Sequence, residues 1–303
     1  MSLDQNNFLI TQEEEIKRID KLLAEKYKSS SRMYFQYLLD NGSVLVNGKR
    51  VKKRFIPKIG DEIEIFFQAL PDISLKAEDI PLDILYEDEH ILAINKPAGM
   101  VVHPGCGNWS KTFVNALLFH CKDIVCHDNN IRPGIVHRLD KYTTGVLLSA
   151  KTQKAHQNLI NQFKERKTKK KYLAIAVNKP INQIVNAPIN RHPVKRKEMT
   201  VDEKGKKAIT DIKVLAYNDQ LSLILAIPKT GRTHQIRVHL KYLNCPILGD
   251  QIYGNKNINN NLKISKPLLH AHILEFFHPI NNEPMKITAP AGEKLKKFIK
   301  FLS

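Results

Sequence analysis

Cysteines, long apolar runs and a secretion signal are scarce or missing in this sequence. Its 303 residues include 4 cysteines and 1 tryptophan, and so few cysteines at this length do not make a disulfide scaffold. The apolar runs are strand-length and fall well short of the roughly 20 residues that a membrane-spanning helix needs. Residues 1–20 are acidic and polar and lack the apolar core of a secretion signal. We therefore expect a cytoplasmic protein with reduced thiols.

A metal site has little support from the cysteines that are present. Cys121 and Cys126 are flanked outward by His120 and His127, which invites a zinc interpretation. The spacing is not that of a standard zinc finger or ribbon, however. We therefore predict no metal site.

Acidic residues are too few to balance the basic ones. Lysine and arginine number 48 against 30 aspartate and glutamate residues, which gives a formal net charge of +18 and a pI near 9.6. This excess indicates a polyanionic partner. Nucleic acid and an anionic membrane surface both fit the charge, and the shortage of long apolar runs speaks against a membrane protein.

The N-terminal part, residues 13–67, predicts a small α/β unit. Apolar residues recur at helical spacing in a first helix, at Ile16, Ile19, Leu22 and Leu23. Ser30 or Ser31 can cap a second helix over 32–39. A strand over 44–46 then runs into an Asn-Gly turn, and a last strand covers 62–67.

The remaining chain divides into a linker and a second domain. Residues 68–82 contain Pro71 and Pro81 and little periodicity, which is typical of a linker. In residues 83–303, strands and helices alternate irregularly without a strict βαβ repeat. The asparagine-rich stretch 255–261 predicts an exposed loop.

The segment 134–145, Gly-Ile-Val-His-Arg-Leu-Asp-Lys-Tyr-Thr-Thr-Gly, carries the strongest functional signal. Short β-like runs at 134–136 and 146–150 enclose it, so Asp140 is expected on a loop between rigid strands, where catalytic groups often lie. A local ion pair between Arg138 and Asp140 on a solvated turn is the alternative.

Three further segments share the second domain with it. Residues 95–105 contain a Pro and two Gly that impose a turn. Residues 169–174 are a basic run that enters a strand, and residues 231–240 begin at a turn and continue as a helix. Taken alone, the first is equally a structural turn, and Tyr172 in the second is equally a core aromatic. Short segments at 248–250, 253–254, 270–271 and 278–279 follow, and they belong to the same series of motifs.

Together and in this order, these segments resemble the signatures of RluA/RluD-type pseudouridine synthases. Residues 18–24, 41–49 and 58–63 are similar to S4 RNA-binding domains. Tyr142 and Thr144 depart from the family pattern, which more usually has Asp and Ser there. The resemblance implies an α+β protein: a small S4-like α/β domain, and a catalytic domain built on a mixed, mainly antiparallel sheet with flanking helices.

The resemblance also implies roles for individual residues. Asp140 is the carboxylate that attacks C1′ of uridine or acts as a base at C2′, and Arg237 pairs with it. Tyr172 stacks on the target uracil and is a candidate proton acceptor. Arg138 fills the space left by a flipped nucleotide or holds that nucleotide. The reaction needs no redox step, metal or external energy, so no cofactor is expected.

Basic residues are expected to contact the RNA backbone, which gives affinity without reading sequence. A solvated basic face is the alternative for those of the S4-like unit. The candidates are Lys17, Arg18, Lys21, Arg32, Lys49, Arg50, Lys52 and Lys53, with the basic runs 164–171, including Lys169 and Lys170, and 195–197 in the second domain.

The expected function is isomerisation of uridine to pseudouridine in large-subunit ribosomal RNA, because family members with an appended S4 domain mostly act there. Transfer RNA is the alternative substrate. A non-catalytic RNA-binding or ribosome-assembly protein on the same fold is a second alternative, and the joint presence of Asp140, Tyr172 and Arg237 argues against it. A glycosidase is a third, and the motif offers Asp140 no evident second carboxylate.

Overall fold

The computed structural model describes residues 5–12, 17–28, 30, 32–68, 75–104, 108, 110–122, 124, 133–195 and 198–302. The chain divides into two compact units, residues 1–74 and 75–303. Within the described residues, no helix has both the length and the apolar character needed to cross a membrane. The finer predicted bounds, 13–67, 68–82 and 83–303, stay a prediction.

The N-terminal unit packs two helices on a small antiparallel sheet. Its elements are β1 Gln5–Leu9, α1 Ile19–Lys26, α2 Arg32–Asp40, β2 Val44–Val46, β3 Lys49–Arg50 and β4 Glu62–Phe66. The strand order is β1-β4-β2-β3. Asn47 and Gly48 both have positive φ, 50° and 70°, as a tight hairpin turn between β2 and β3 requires. Ile16 and Ser31, used in the sequence prediction, lie outside the described residues.

The apolar spacing of α1 and α2 explains this packing, since the residues that recur on one face are the buried ones. Leu23, Phe35, Leu38, Ile63 and Ile65 are fully buried in one cluster. Burying side chains of this size stabilises the unit by about 1.5–3 kcal/mol each before the entropy of ordering the chain is counted.

The C-terminal unit is built on a nine-stranded sheet. The strands of the whole unit are β5 Ile84–Glu87, β6 Ile91–Lys96, β7 Thr144–Ala150, β8 Lys169–Val177, β9 Gln183–Asn186, β10 Ile189–Arg191, β11 Met199–Val201, β12 Ile209–Tyr217, β13 Leu221–Pro228, β14 Leu269–Phe277 and β15 Pro284–Thr288. Its helices are α3 Phe113–His120, α4 Gln153–Lys164, α5 Gln235–Tyr242, α6 Lys256–Asn261 and α7 Glu293–Leu302.

The strand order of this sheet is β5-β6-β7-β14-β8-β13-β12-β9, with β15 also paired to β14, while β10 and β11 form a separate ribbon. Among the paired strands of the described residues, β14 with β7 is the parallel pair and the others are antiparallel. The predicted α+β class with a mixed, mainly antiparallel sheet is therefore confirmed.

The sheet is covered on both faces, which explains its nearly continuous apolar strands. Ile224 on β13 packs in one cluster with Ile236 and Leu240 of α5. Leu148 on β7 packs in another with Leu159 of α4. These contacts fix α4 and α5 against the sheet, and both helices supply residues to the pocket described below.

Two local predictions were wrong. Residues 256–261 form a helix rather than a loop, although most of them are exposed as expected: Asn255 caps α6 by accepting hydrogen bonds from the N–H groups of Asn257 and Ile258, and Asn259 is buried. Residues 134–136 do not form a strand, since Ile135 makes an isolated bridge to Ser149. Gly134 has φ +68°, and a Cβ there would meet the backbone of Ala150, so the chain turns where a strand was expected.

Candidate active site

An open pocket of about 490 Å³ in the C-terminal unit collects the predicted catalytic residues. Asp140 lines it from the loop before β7, Tyr172 from β8 and Arg237 from α5. Thr143 and the basic residues Arg138, Lys164, Arg166, Lys170, Lys229 and Arg232 also line it. A cavity of this size suits a small ligand, and the basic rim suits an anionic one.

Asp140 and Arg237, 97 positions apart in sequence, form an ion pair at the pocket wall. Nη1 of Arg237 donates to Oδ2 of Asp140 at 3.1 Å, and the Asp140 side chain is 22% exposed. The sequence-based expectation that this arginine pairs with this aspartate therefore agrees with the geometry. A guanidinium at this distance favours the carboxylate form and restricts its orientation.

Arg237 is itself held by a second carboxylate, Asp250, which sequence reasoning did not select. Nε and Nη2 of Arg237 donate to the two oxygens of Asp250 at 2.7 and 3.0 Å. Burial pushes the pKa of Asp250 upward, but the hydrogen bonds and charge of Arg237 outweigh it and hold the pKa below its usual value. Burial likewise disfavours the charged arginine, yet Asp250 keeps the pKa of Arg237 raised.

His234 is a further pocket residue that the sequence prediction passed over. Its Nε2 lies 3.9 Å from Oδ2 of Asp140, and its Nδ1 lies 2.8 Å from the hydroxyl of Tyr253. That hydroxyl accepts a hydrogen bond from the N–H of Met199, so its own proton is available to Nδ1 of His234. Burial lowers the pKa of His234 despite the opposing charge of Asp140, which favours a neutral imidazole with its N–H toward the carboxylate.

Tyr172 presents a neutral phenol to the pocket. Its strand β8 lies between β14 and β13. Burial, and then the charge of Asp140, raises the pKa of Tyr172 well above its usual value. A neutral aromatic ring on a central strand is a rigid surface against which a flat ligand can stack.

The predicted RNA contacts of this unit are only partly brought to the pocket. Arg138 is exposed and Lys170 lines the pocket, where burial, and then the charge of Arg166, lowers the pKa of Lys170. Lys169 is exposed on β8 but is not a lining residue. Of the run 195–197, residues 196 and 197 lie outside the described residues.

The segment 95–105 fixes the loop that bears Asp140, through Lys96. This fully buried lysine donates from Nζ to the carbonyls of Pro97, Met100 and Lys141 at 2.9, 3.0 and 3.1 Å. The N–H of Gly99 also donates to the carbonyl of Lys141, at 2.8 Å. Burial lowers the pKa of Lys96 to about 7, although Asp140 favours the charged form.

Gly145 explains why the motif ends in glycine. It is the second residue of β7 and pairs with Ala271 of β14, with φ +107°. A Cβ at this position would lie 2.2 Å from the carbonyl oxygen of Ala271. A side chain there would push β14 away from the strand that follows the Asp140 loop.

In the N-terminal unit, several predicted RNA contacts already have protein partners. The buried carboxylate of Asp20 accepts hydrogen bonds from Arg18, Arg32 and Gln36. Lys17 pairs with Glu25, and Lys53 pairs with Asp40. The exposed candidates with no ion pair in the described part of this unit are Lys21, Lys49, Arg50 and Lys52.

One group in the described residues has the composition of a metal site: the ligand atoms of Glu87, His120 and Cys121 lie within 4.8 Å of one another. Glu87 accepts hydrogen bonds from His120 at 2.8 Å and from Lys151 at 2.7 Å. Burial raises the pKa of the Cys121 thiol. Glu87 is therefore already paired with two basic side chains. Cys126 and His127 lie outside the described residues.

Comparisons with known proteins agree with this fold. The family model described as RNA pseudouridylate synthase matches residues 90–242, and the S4 domain model matches residues 17–63. The human RNA pseudouridylate synthase domain containing 4 has a similar structure, with a TM-score of 0.57 at 27% identity, over 72% of this chain and 91% of that one.

Two similar relatives match almost end to end. The uncharacterized RNA pseudouridine synthase YlyB of Bacillus subtilis is 38% identical over 99% of both chains. The ribosomal large subunit pseudouridine synthase D of Xylella fastidiosa is 41% identical over 92% of this chain and 87% of that one. This chain belongs to the RNA pseudouridylate synthase family. It is an RNA pseudouridine synthase, an isomerase, with an N-terminal S4 RNA-binding domain.

Proposed function

We propose that this enzyme converts specific uridines of large-subunit ribosomal RNA to pseudouridine in the cytoplasm, with Asp140 as its catalytic carboxylate. The observation that carries the catalytic assignment is the ion pair between Asp140 and Arg237 at the wall of the pocket. The substrate assignment is supported by relatives named as large-subunit synthases, whose alignments cover 92% of this chain.

The reaction breaks the C1′–N1 bond of uridine, turns the uracil and joins its C5 to C1′. A carboxylate near the sugar serves this chemistry either by attacking C1′ or by removing a proton from C2′, and both roles remain open. Arg237 and His234 both contact Oδ2 of Asp140. Among the described residues, Oδ1 accepts no hydrogen bond, and we assign this oxygen to the substrate.

Tyr172 is proposed to stack on the target uracil. After C5 joins C1′, the proton on C5 must leave for the ring to become aromatic again. A phenol with a raised pKa accepts that proton only if it releases its own. Stacking is therefore the role that the neutral ring performs without a further step, and proton acceptance is the secondary hypothesis.

The target base must leave the RNA stack to reach Asp140, at a cost of a few kcal/mol. Arg138 is exposed beside the loop, and we propose that it occupies the vacated space or holds the flipped nucleotide. Lys170, with its neighbours on the pocket rim, is proposed to bind phosphates. These contacts supply affinity, while sequence is read from unstacked loop bases.

A map of pseudouridines in total RNA from cells with and without the gene tests this function. The knockout is complemented with wild type, with Asp140→Asn or with Asp219→Asn, an exposed aspartate in the turn between β12 and β13. We expect sites in large-subunit ribosomal RNA to be lost in the knockout and restored by wild type and Asp219→Asn, but not by Asp140→Asn.

Other outcomes are equally informative. Sites lost only from transfer RNA would identify transfer RNA as the substrate. Restoration by Asp140→Asn would show that the reaction does not need the Asp140 carboxylate. Purified Asp140→Asn protein should still bind RNA nearly as well as wild type, because the substitution leaves the basic surface intact.

A further inference from the structure

Beside the catalytic carboxylate, the chain carries an exposed aromatic residue that the proposed mechanism does not use. Tyr142 lies two positions after Asp140, and it is 42% exposed. It is not a lining residue of the pocket. Large exposed aromatic rings in an RNA-modifying enzyme are candidates for stacking on unpaired bases, because every base presents a flat π-face.

We propose that Tyr142 is a stacking site for an unpaired nucleobase that flanks the target uridine in the RNA. This inference rests on the proposed function for the identity of the RNA, but not for the chemistry of the contact. The occupant is an unstacked base with its phosphate, since the ring offers a face for the base and neighbouring lysines offer charge for the phosphate.

The backbone holds Tyr142 in a fixed position. The N–H of Thr143 donates to the carbonyl of Asp140 at 3.1 Å, so Lys141 and Tyr142 form the tip of a tight turn. Thr143 is buried, and the carbonyl of Lys141 accepts hydrogen bonds from Lys96 and Gly99. A side chain on such a turn loses little backbone entropy when it binds a ligand.

Two lysines lie near the Tyr142 ring and can supply positive charge for the phosphate of a nucleotide. The ammonium groups of Lys141 and Lys266 each lie 5.9 Å from the centroid of the Tyr142 ring. Nζ of Lys141 donates to Asn108 at 3.0 Å, which fixes its direction and leaves donors available to a phosphate. A base that stacks on a ring face covered by a lysine displaces that ammonium, which can then bind the phosphate of the same nucleotide.

The distance along the chain suits an adjacent nucleotide. Two residues span at most about 7 Å along the backbone, so Tyr142 starts from a point close to Asp140. We assign a base on Tyr142 to a nucleotide near the one at Asp140. Holding that neighbour out of its own stack would also lower the cost of flipping the target.

Steady-state kinetics of the full-length enzyme on an in vitro transcript of large-subunit ribosomal RNA test this site. We expect Tyr142→Ala to raise KM about tenfold, as loss of one stacked base would, with kcat unchanged. Tyr142→Phe and Tyr142→Trp should retain the wild-type KM, because they keep the aromatic face. Tyr142→Asp should behave like Tyr142→Ala or worse. The matched control is Tyr217→Ala, which removes an exposed tyrosine with a lysine over its ring on β12.

A second measurement does not depend on the identity of the substrate. A short oligouridylate that carries one 2-aminopurine should lose fluorescence when it binds wild type and Tyr217→Ala, but much less when it binds Tyr142→Ala. An unchanged KM together with unchanged quenching in Tyr142→Ala would overturn the site. Failure of wild type to modify the ribosomal transcript, with quenching still dependent on Tyr142, would overturn the proposed substrate and keep the site.

Discussion

Asp250 accepts two hydrogen bonds from the guanidinium of Arg237, and Arg237 donates its third contact to Asp140. Asp250 is completely buried, whereas the side chain of Asp140 is 22% exposed. The arginine thus has a fixed partner inside the protein and a second partner at the pocket. Asp250 sets the direction in which Arg237 presents Nη1, and through it the position of the Asp140 carboxylate.

Asp250→Asn is therefore expected to affect both stability and catalysis. Removing one charge from a buried pair costs about 3–5 kcal/mol, so the free energy of unfolding in urea should fall by an amount near the lower end of that range. The kcat should also fall, because Arg237 loses the partner that orients it. Glu293→Gln removes a carboxylate from an exposed pair with Lys296 and should change neither quantity. Wild-type kcat in a folded Asp250→Asn enzyme would contradict the orienting role.

His137 predicts acid sensitivity of the folded enzyme. Its Nε2 accepts a hydrogen bond from the N–H of Leu148 at 2.9 Å, and its ring stacks on Phe163 with centroids 4.7 Å apart. Burial, assisted by the charge of Lys170, lowers the pKa of His137 from 6.5 to about 3. Protonation would remove the acceptor, so the folded state keeps the imidazole neutral.

The sign of the pH effect follows from this lowered pKa. Between about pH 6.5 and 3, the unfolded chain binds a proton at His137 that the folded chain does not. The free energy of unfolding that His137 contributes is complete above pH 6.5 and is lost as the pH falls toward 3. At 1.4 kcal/mol per pKa unit, this loss amounts to at most about 5 kcal/mol. Urea unfolding at several pH values should give a shallower acid loss for His137→Gln than for wild type or His192→Gln. Parallel curves for all three proteins would exclude His137 as the titrating group.

The sequence was sufficient to predict three residues of the pocket, but not the groups that hold them. Asp140, Tyr172 and Arg237 come from motifs whose order resembles a known family, and the structure brings all three to one pocket. Asp250 and Lys96 also lie in matched motifs, but their roles depend on contacts between distant segments. A buried lysine is rare, and nothing local distinguishes Lys96 from a surface residue.

Helix α6 is a second feature that could not be predicted from the sequence. Asparagine has a low helix propensity, so 255–261 was predicted as a loop. Tertiary contacts decide otherwise: Oδ1 of Asn259 accepts from the N–H of Gly249 at 2.7 Å, and its Nδ2 donates to the carbonyl of Asp250 at 3.2 Å. The insert therefore supports the segment that carries Asp250, which no pattern within the insert indicates.

Lys96→Met tests whether Lys96 holds the loop that bears Asp140 in place. The substitution keeps much of the side-chain length and removes the ammonium that joins Pro97, Met100 and Lys141. Each partly buried carbonyl that loses its partner costs at most about 1–3 kcal/mol, and Lys141 keeps its bond from Gly99. We expect a lower melting temperature and a kcat reduced about tenfold, as about 1.4 kcal/mol of lost positioning would produce.

The control for that variant is Lys154→Met, which changes an exposed lysine on α4. It should leave both the melting temperature and kcat as in wild type. A Lys96→Met enzyme that melts earlier but keeps its kcat would show that Lys96 stabilises the fold without positioning Asp140.

The S4 domain is expected to supply RNA affinity that the catalytic unit does not need for folding. The chain divides at residues 74 and 75, and we predict that deletion of residues 1–70 leaves a soluble, cooperatively folding enzyme that binds RNA more weakly. In the full chain, Lys21, Lys49, Arg50 and Lys52 are exposed. Replacing all four with glutamine should reduce the slope of log affinity against log salt by up to about 3, since each contact to a single-stranded phosphate contributes about 0.7. An unchanged slope would assign the phosphate contacts to the catalytic unit, and an insoluble deletion fragment would show that the two units need each other to fold.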